Sequence, residues 1–422
     1  MKYLVLLGDG MADEPLAELG GKTPLEYAAT PCMDRLARLG ETGLVRTVPE
    51  GFPPGSDVAN LSVFGYDPKE YYTGRSPLEA ASMGVSLAPD DVAFRLNLVH
   101  LEIRDDQFFM GDFSAGHIST PEAAELIQTL QRDFGGGKFN FYPGVSYRHL
   151  MVWKGGRDDL RLTPPHDITH QEIAPHLPQG KGAQQLLLLM NSAMLLFSEH
   201  PINQKRLQAG KRPANAIWLW GQGRAPRLAT FRDRFGISGA VISAVDLIKG
   251  IGVCAGLDVI EVPGATGYLD TNFTGKAEYA LDALKSRDFI YLHVEAPDEA
   301  SHEGSLEKKL KAIEDFDRLV VGRIMEGMEG FDEFRVAVLP DHPTPIRRMT
   351  HSEGPVPYIL YGSSGEFTSP CPVAGYGERA AKGTGLYLEQ GHLLLSRMVH
   401  GPQKNKEKTS CCKINVEVLH QQ

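Results

Sequence analysis

Three short apolar runs constrain this chain more than any other feature: Lys2 to Leu7 (KYLVLL), Phe289 to Val294 (FIYLHV) and Arg335 to Leu339 (RVAVL). Each is β-rich, and each is followed closely by an acidic residue, Asp9, Asp298 or Asp341. Such runs are the pattern of strands buried on both faces of a largely parallel sheet. Strand and helix signals alternate along the chain, which specifies an α/β architecture. Ligands of open α/β sheets bind beyond the carboxyl ends of the strands. Acidic groups far apart in sequence are therefore expected on one edge of one sheet.

The chain has 422 residues, long for one domain, so a large domain with a smaller companion is expected. The middle reads as a second sheet, with strands at Val92 to Leu101 (VAFRLNLVHL), His149 to Trp153 (HLMVW) and Ala216 to Trp220 (AIWLW). Helical patterns lie between them, from Pro121 to Phe134 and from Gly182 to His200. We read 86–225 as an inserted smaller α/β cap domain, with the core formed by 1–85 and 226–400. Residues 401–422 begin with a polar, Lys-rich stretch and read as a flexible tail.

The formal charge of -10 argues against a nucleic-acid partner, since phosphate backbones require a basic surface. A small phosphorylated substrate is compatible with it, because local Arg and Lys can hold one. No apolar run approaches the roughly 18 residues that would span a bilayer, so no membrane association is expected. The N-terminus, MKYLVLLGDG, reads as a core strand rather than a signal peptide. Cys32, Cys254, Cys371, Cys411 and Cys412 show no metal-type spacing and suit a reduced, cytoplasmic compartment. The sequence leaves assembly, homo-oligomers included, open.

The loop FPPGSDVANLSVFGYDP (52–68) carries the most chemistry. Pro53, Pro54 and Gly55 set a turn ahead of Ser56, and a helical pattern follows. A hydroxyl there lies near a helix N-terminus, where backbone N–H groups favour a phosphate; the ordinary alternative is that Ser56 or Asp57 caps the helix. Asp298 and His302 in DEASH sit at i, i+4, on one face of a helical turn and within reach of one cation. Asp341 and His342 follow a strand in VLPDHPTP, and His351 lies nine residues on in MTHSEGP. Together Asp9, Ser56, Asp298, His302, Asp341, His342 and His351 suit two divalent ions of the Mn or Zn type, with Co or Mg also accepted. Two such ions are the usual means of in-line phosphoryl displacement, with a hydroxyl as nucleophile.

At this point the sequence resembles the cofactor-independent phosphoglycerate mutases of the archaeal type, members of the alkaline phosphatase superfamily. The likeness runs from GDGMADEP (8–15) and GKTPLEYAATPCMDRLA (21–37) through PPGSDVANLSVFGYDP, YYTGRSPLEAAS (71–82), VEAPDEASHEG (294–304) and PDHPTP (340–345) to HSEGPVPYIL (351–360). It implies an alkaline-phosphatase-like core, a mostly parallel sheet flanked by helices, with an inserted cap. It further implies one metal on Asp298, His302 and His351 and the other on Asp9, Asp341, His342 and Ser56 Oγ. Ser56 would be the transiently phosphorylated nucleophile and Lys249 (VDLIKGIGV) the lysine that neutralises the phosphoserine. His117 (FSAGHIST) and Arg148 (VSYRHLMVW) resemble cap residues that hold substrate. Arg206 and Arg212 could add contacts to a carboxylate or phosphate. In one place the chain departs from the mutase pattern G-S-D-T-A-H, carrying Val58 and Asn60 in GSDVAN. A sister group with GSDVAN is described as proposed homoserine kinases. The expected activity is interconversion of 3- and 2-phosphoglycerate through a phosphoserine, the alternatives being homoserine phosphorylation or another phosphatase or phosphomutase reaction. No Walker-type phosphate loop supports a nucleotide donor.

Overall fold

The structure, a computed structural model, describes residues 1–402. The expected tail from 403 onward and two of the cysteines, Cys411 and Cys412, lie outside the described residues. The described residues divide into two compact units, 1–72 together with 228–402, and Thr73–Arg227.

The first unit is built on an eight-stranded sheet. Its order is Tyr387–Leu388, Glu41–Val45, Val356–Gly362, Phe334–Leu339, Lys2–Gly8, Phe289–Val294, Gly239–Ile242 and Asp258–Val259. Only Val356–Gly362 runs antiparallel to its neighbours; every other pairing is parallel. The three apolar runs are adjacent central strands, with Lys2–Gly8 paired to Phe289–Val294 on one side and to Phe334–Leu339 on the other. Their residues are almost wholly buried, because helices cover both faces and leave no solvated side to alternate toward. One face packs under helices Pro31–Leu39, Phe273–Leu284 and Leu306–Asp315, with Met33, Leu36, Ala277, Ala280, Ile313 and Phe316 in a common core.

The second unit carries a five-stranded antiparallel sheet around the long strand Val92–Arg104, which pairs with Gln107–Asp112, Arg148–Trp153 and Ala216–Gly223. Its core comes from that sheet and helices Thr120–Phe134 and Ala183–Ser198. The unit begins at Thr73 rather than at 86. Helix Ser76–Ser82 packs on the second sheet, with Ser76 Oγ donating to Gly221 O and Glu79 accepting from Arg75 (3.0 Å) and Arg95 (3.1 Å). No helix among the described residues is long and apolar enough to cross a membrane.

Candidate metal centre

Parallel strands end at one edge of the sheet, and three of the ligand-bearing segments begin there. Asp9 follows Lys2–Gly8 directly, with its N–H on Val294 O at 2.9 Å. Asp298 and His302 occupy the short helix Ala296–His302 that follows Phe289–Val294. Asp341 and His342 follow Phe334–Leu339 after Pro340. The loops are tied together: Thr344 N–H donates to Ala12 O at 3.1 Å. The fully buried Lys309 ammonium spans Asp13 Oδ2 (2.8 Å) and Thr344 O (3.0 Å). Such an ion pair is costly to desolvate but strongly destabilising to break from one side, so it holds the two loops in register.

One group is made by Asp298, His302 and His351. His302 Nε2 lies 3.1 Å from Asp298 Oδ2 and 3.1 Å from His351 Nε2, and His351 Nε2 lies 3.6 Å from Asp298 Oδ2. Ligand atoms about 2.0–2.2 Å from a tetrahedral cation stand about 3.3–3.6 Å from one another, so this triangle is close to the face such an ion needs. The other group centres on His342 Nε2, with Ser56 Oγ at 3.1 Å, Asp341 Oδ2 at 3.3 Å and Asp9 Oδ1 at 3.6 Å. Asp9, Asp341 and His342 are buried, and Asp9 Oδ1 receives no hydrogen bond. An orphaned, buried carboxylate oxygen is rare unless a cation or catalytic role explains it.

Three histidine tautomers follow from the hydrogen bonds on their outer nitrogens. His302 Nδ1 faces Met349 O at 3.0 Å and His351 Nδ1 faces Pro54 O at 3.2 Å. A carbonyl only accepts, so both rings carry hydrogen on Nδ1, which leaves Nε2 as the nitrogen that ligates once it gives up its proton. Met349 holds a left-handed φ of 52°, a strained conformation that aims its carbonyl at His302. His342 Nδ1 lies 3.2 Å from Thr344 Oγ1, whose own hydrogen goes to Asp298 Oδ1 at 2.5 Å. Thr344 must therefore accept from His342 Nδ1–H, which again leaves Nε2 to ligate. The hydroxyl of Thr344 connects the two groups.

Electrostatics agree with a cation. Burial, reinforced by Asp341 and Asp298, pushes the Asp9 carboxyl well above the usual range. Burial likewise opposes ionisation of Asp298, but hydrogen bonds from His302 and His351 outweigh it and hold that carboxyl well below its ordinary value. His302 is raised to about 9, mainly by its bond to Asp298, so an ion bound there must displace its Nε2 proton. Buried carboxylates crowded this closely repel one another unless a positive charge sits among them. The donor set, carboxylate oxygens and imidazole nitrogens, suits a divalent ion of borderline softness.

Ser56 is the first residue of helix Ser56–Val63, and Gly55 occupies the capping position with no side-chain cap bond. Its hydroxyl is thus turned to the metal group and not spent on the helix end. Lys249 lies on helix Asp246–Cys254 of the same unit, paired with Glu261 at 2.8 Å and 4.0 Å from Asp246. The other four candidates belong to the second unit. His117 and Arg148 are exposed. Arg206 is 3% exposed, with Nη1 on Glu122 (2.9 Å), Nη2 on Ala115 O (2.7 Å) and Nε on Arg212 O (2.9 Å). Arg212 pairs with Asp112 at 2.9 Å. Asp112 also accepts from the N–H groups of Ser114 and Gly116. Both arginines brace the loop in which Ala115 and His117 hold left-handed φ values of 48° and 47°. The Arg206 guanidinium is fully engaged within that unit, whereas Arg212 is exposed and bonds there through Nη1.

Sequence reasoning missed His293, Thr344 and Tyr291. His293 is fully buried and bridges Ser243 Oγ (3.2 Å) and Asp9 Oδ2 (3.0 Å), its pKa lowered to about 3 by burial. Its signal was present as the imidazole inside the apolar run FIYLHV. Thr344 had none beyond its place two residues after His342.

The family model described as 2,3-bisphosphoglycerate-independent phosphoglycerate mutase matches residues 37–203. A probable 2,3-bisphosphoglycerate-independent phosphoglycerate mutase of Geobacter sulfurreducens is 61% identical, over 94% of this chain and 100% of that one. The Methanosarcina acetivorans protein named 2,3-bisphosphoglycerate-independent phosphoglycerate mutase is 55% identical over the same shares. Among solved structures, the PH0037 protein from Pyrococcus horikoshii superposes with a TM-score of 0.79 at 32% identity, covering 94% of this chain and 96% of that one. The cofactor-independent phosphoglycerate mutase from Thermoplasma acidophilum gives 0.64 at 26%, covering 94% and 100%. With this strand-edge centre and a relative 61% identical along its whole length, the chain belongs to the 2,3-bisphosphoglycerate-independent phosphoglycerate mutase family.

Proposed function

We propose that this protein interconverts 3-phosphoglycerate and 2-phosphoglycerate through a phosphoserine at Ser56. The observation that carries this reading is the Ser56 hydroxyl, 3.1 Å from His342 Nε2 and uninvolved in capping. Asp9, Asp341, His342 and Ser56 would hold one ion and Asp298, His302 and His351 the other. Bound Mn2+ or Zn2+, or Co2+ or Mg2+ in their place, would lower the hydroxyl pKa and offset charge on the phosphoryl oxygens. Ser56 Oγ loses its proton and bonds to phosphorus as the P–O bond to glycerate breaks, and the departing glycerate oxygen takes up a proton. The other glycerate hydroxyl then gives up its proton and bonds to phosphorus as the P–Oγ bond breaks, and Ser56 Oγ takes up a proton. Lys249 offsets phosphoserine charge. The unit Thr73–Arg227 is assigned to substrate handling, with His117 and Arg148 as its contacts because both are exposed.

The second acceptor, homoserine, was suggested by Val58 and Asn60. Both side chains are fully buried, Val58 against Val48 and Ala59, so neither position supports a different acceptor. Purified protein with Mn2+ is expected to convert 3-phosphoglycerate and to consume no ATP on addition of homoserine. Ser56→Ala is expected to lose at least roughly 10³-fold in turnover, as removal of a covalent nucleophile does. Mutase activity surviving in Ser56→Ala would remove the nucleophile assignment; homoserine-dependent ATP consumption would remove the substrate.

A further inference from the structure

Asn60 has every polar atom of its fully buried side chain engaged. Tyr291 Oη donates to Oδ1 at 2.6 Å. Nδ2 donates to Asp341 Oδ2 at 2.8 Å and to the Ser56 carbonyl at 2.9 Å. The amide orientation is set by chemistry, because a carboxylate and a carbonyl both accept and only the NH2 end can face them. Tyr291 is itself fully buried and stacked on Phe64, with ring centroids 3.8 Å apart and planes 14° from parallel. Asp341 is held from its other side too, with Oδ1 accepting from Gly10 N–H (3.2 Å) and His342 N–H (2.9 Å). Oδ2, the atom facing His342 Nε2, has the Asn60 amide as its hydrogen-bond donor.

We propose that Asn60 is a positioning residue for the Ser56-side metal group, setting Asp341 Oδ2 and the first turn of the nucleophile's helix in one geometry. This rests on the two-metal reading above. One amide, four residues after Ser56, contacts both the ligand and the nucleophile's own backbone, so a small shift of either is resisted by the other. Outer partners of metal ligands control affinity by about 10–100-fold. Asp298, His302 and His351 make no hydrogen bond to Asn60, so Asn60 reaches their ion only through intervening groups.

The test titrates Mn2+ into metal-free protein and reads free Mn2+ by electron paramagnetic resonance. His302→Ala retains the Ser56-side group, and Asp9→Asn retains the other. Adding Asn60→Leu is expected to weaken Mn2+ binding about 10–100-fold in the first background and by less than about twofold in the second. Tyr291→Phe removes only the hydroxyl that locks the amide and is expected to weaken the first background by about 3–10-fold, the size of one hydrogen bond. Equal losses in both backgrounds would show general damage and overturn the proposal, as would unchanged binding in Tyr291→Phe. Wild-type protein that takes up two Mn2+ while the Asn60 and Tyr291 variants match it sinks this inference alone. Wild-type protein that takes up none sinks the metal reading and this inference with it.

Discussion

Replacing Thr344 by Val tests whether one buried hydroxyl couples the two metal groups. Val nearly matches Thr in shape, so packing is conserved while two hydrogen bonds vanish. Thr344 is fully buried, and its oxygen lies 2.5 Å from Asp298 Oδ1 and 3.2 Å from His342 Nδ1. Without it, His342 Nδ1–H is left buried and unpaired, at about 1–3 kcal/mol. Asp298 loses a donor to a charged oxygen, worth about 1.5–3 kcal/mol. The tautomer bias of His342 is also lost, and the alternative tautomer carries hydrogen on the nitrogen that must ligate. Both groups are touched, so Mn2+ affinity is expected to fall by about 10–100-fold in the His302→Ala background and in the Asp9→Asn background alike. That outcome separates Thr344 from Asn60. Thr344→Ser keeps the oxygen and is expected to recover most of the affinity and turnover. If Thr344→Val binds both ions as wild type does, or if Thr344→Ser is as damaged as Thr344→Val, the hydroxyl argument is wrong and the residue acts by packing.

Gly10→Ala is expected to abolish measurable turnover. Gly10 has a φ of +62°, and a Cβ there would collide with Asp298 Oδ1 and lie 2.7 Å from Thr344 Oγ1; wild-type kinetics in this variant would contradict the geometry. Arg206→Ala is expected to lower the melting temperature, by about 1–3 kcal/mol of stability, because it leaves the buried Ala115 carbonyl and the Arg212 carbonyl without their donor; a raised KM with an unchanged melting curve would instead mark Arg206 as a substrate ligand. Glu378 is half-buried and its pKa is raised from 4.5 to about 7 by desolvation, so the folded state binds more protons than the unfolded state between those values and stability declines as pH rises through that window. Glu378→Gln removes the penalty and is expected to be the more stable protein at pH 8, by at most about 3 kcal/mol, and to lose that advantage below pH 4.5; identical pH profiles in urea melts would refute it.

Much of this architecture was legible because it rests on local pattern. Lys2–Gly8, Phe289–Val294 and Phe334–Leu339 are readable as apolar runs, and parallel strands end at a common edge, so the convergence of Asp9, Asp298 and Asp341 followed from strand chemistry alone. The start of the second unit was not legible. Helix Ser76–Ser82 looks locally like any other short helix, and only its contacts to Arg95 and Gly221, far along the chain, assign it to the second sheet. Arg206 is a similar case, since an arginine in a Lys-rich segment reads as surface until Glu122 and Ala115 O are found around its guanidinium.

Sequence by itself determined which residue types could ligate and on which sheet edge they stand, because residue identity and strand direction are written in the chain. Tertiary structure decided how each ligand is held. The inward Nε2 of His302, His342 and His351, the bridge at Thr344 and the grip of Asn60 on Asp341 depend on distances of 2.5–3.2 Å between groups on different segments. No periodicity encodes such distances, since a hydrogen bond at 3 Å and a miss at 5 Å can arise from the same residue pattern.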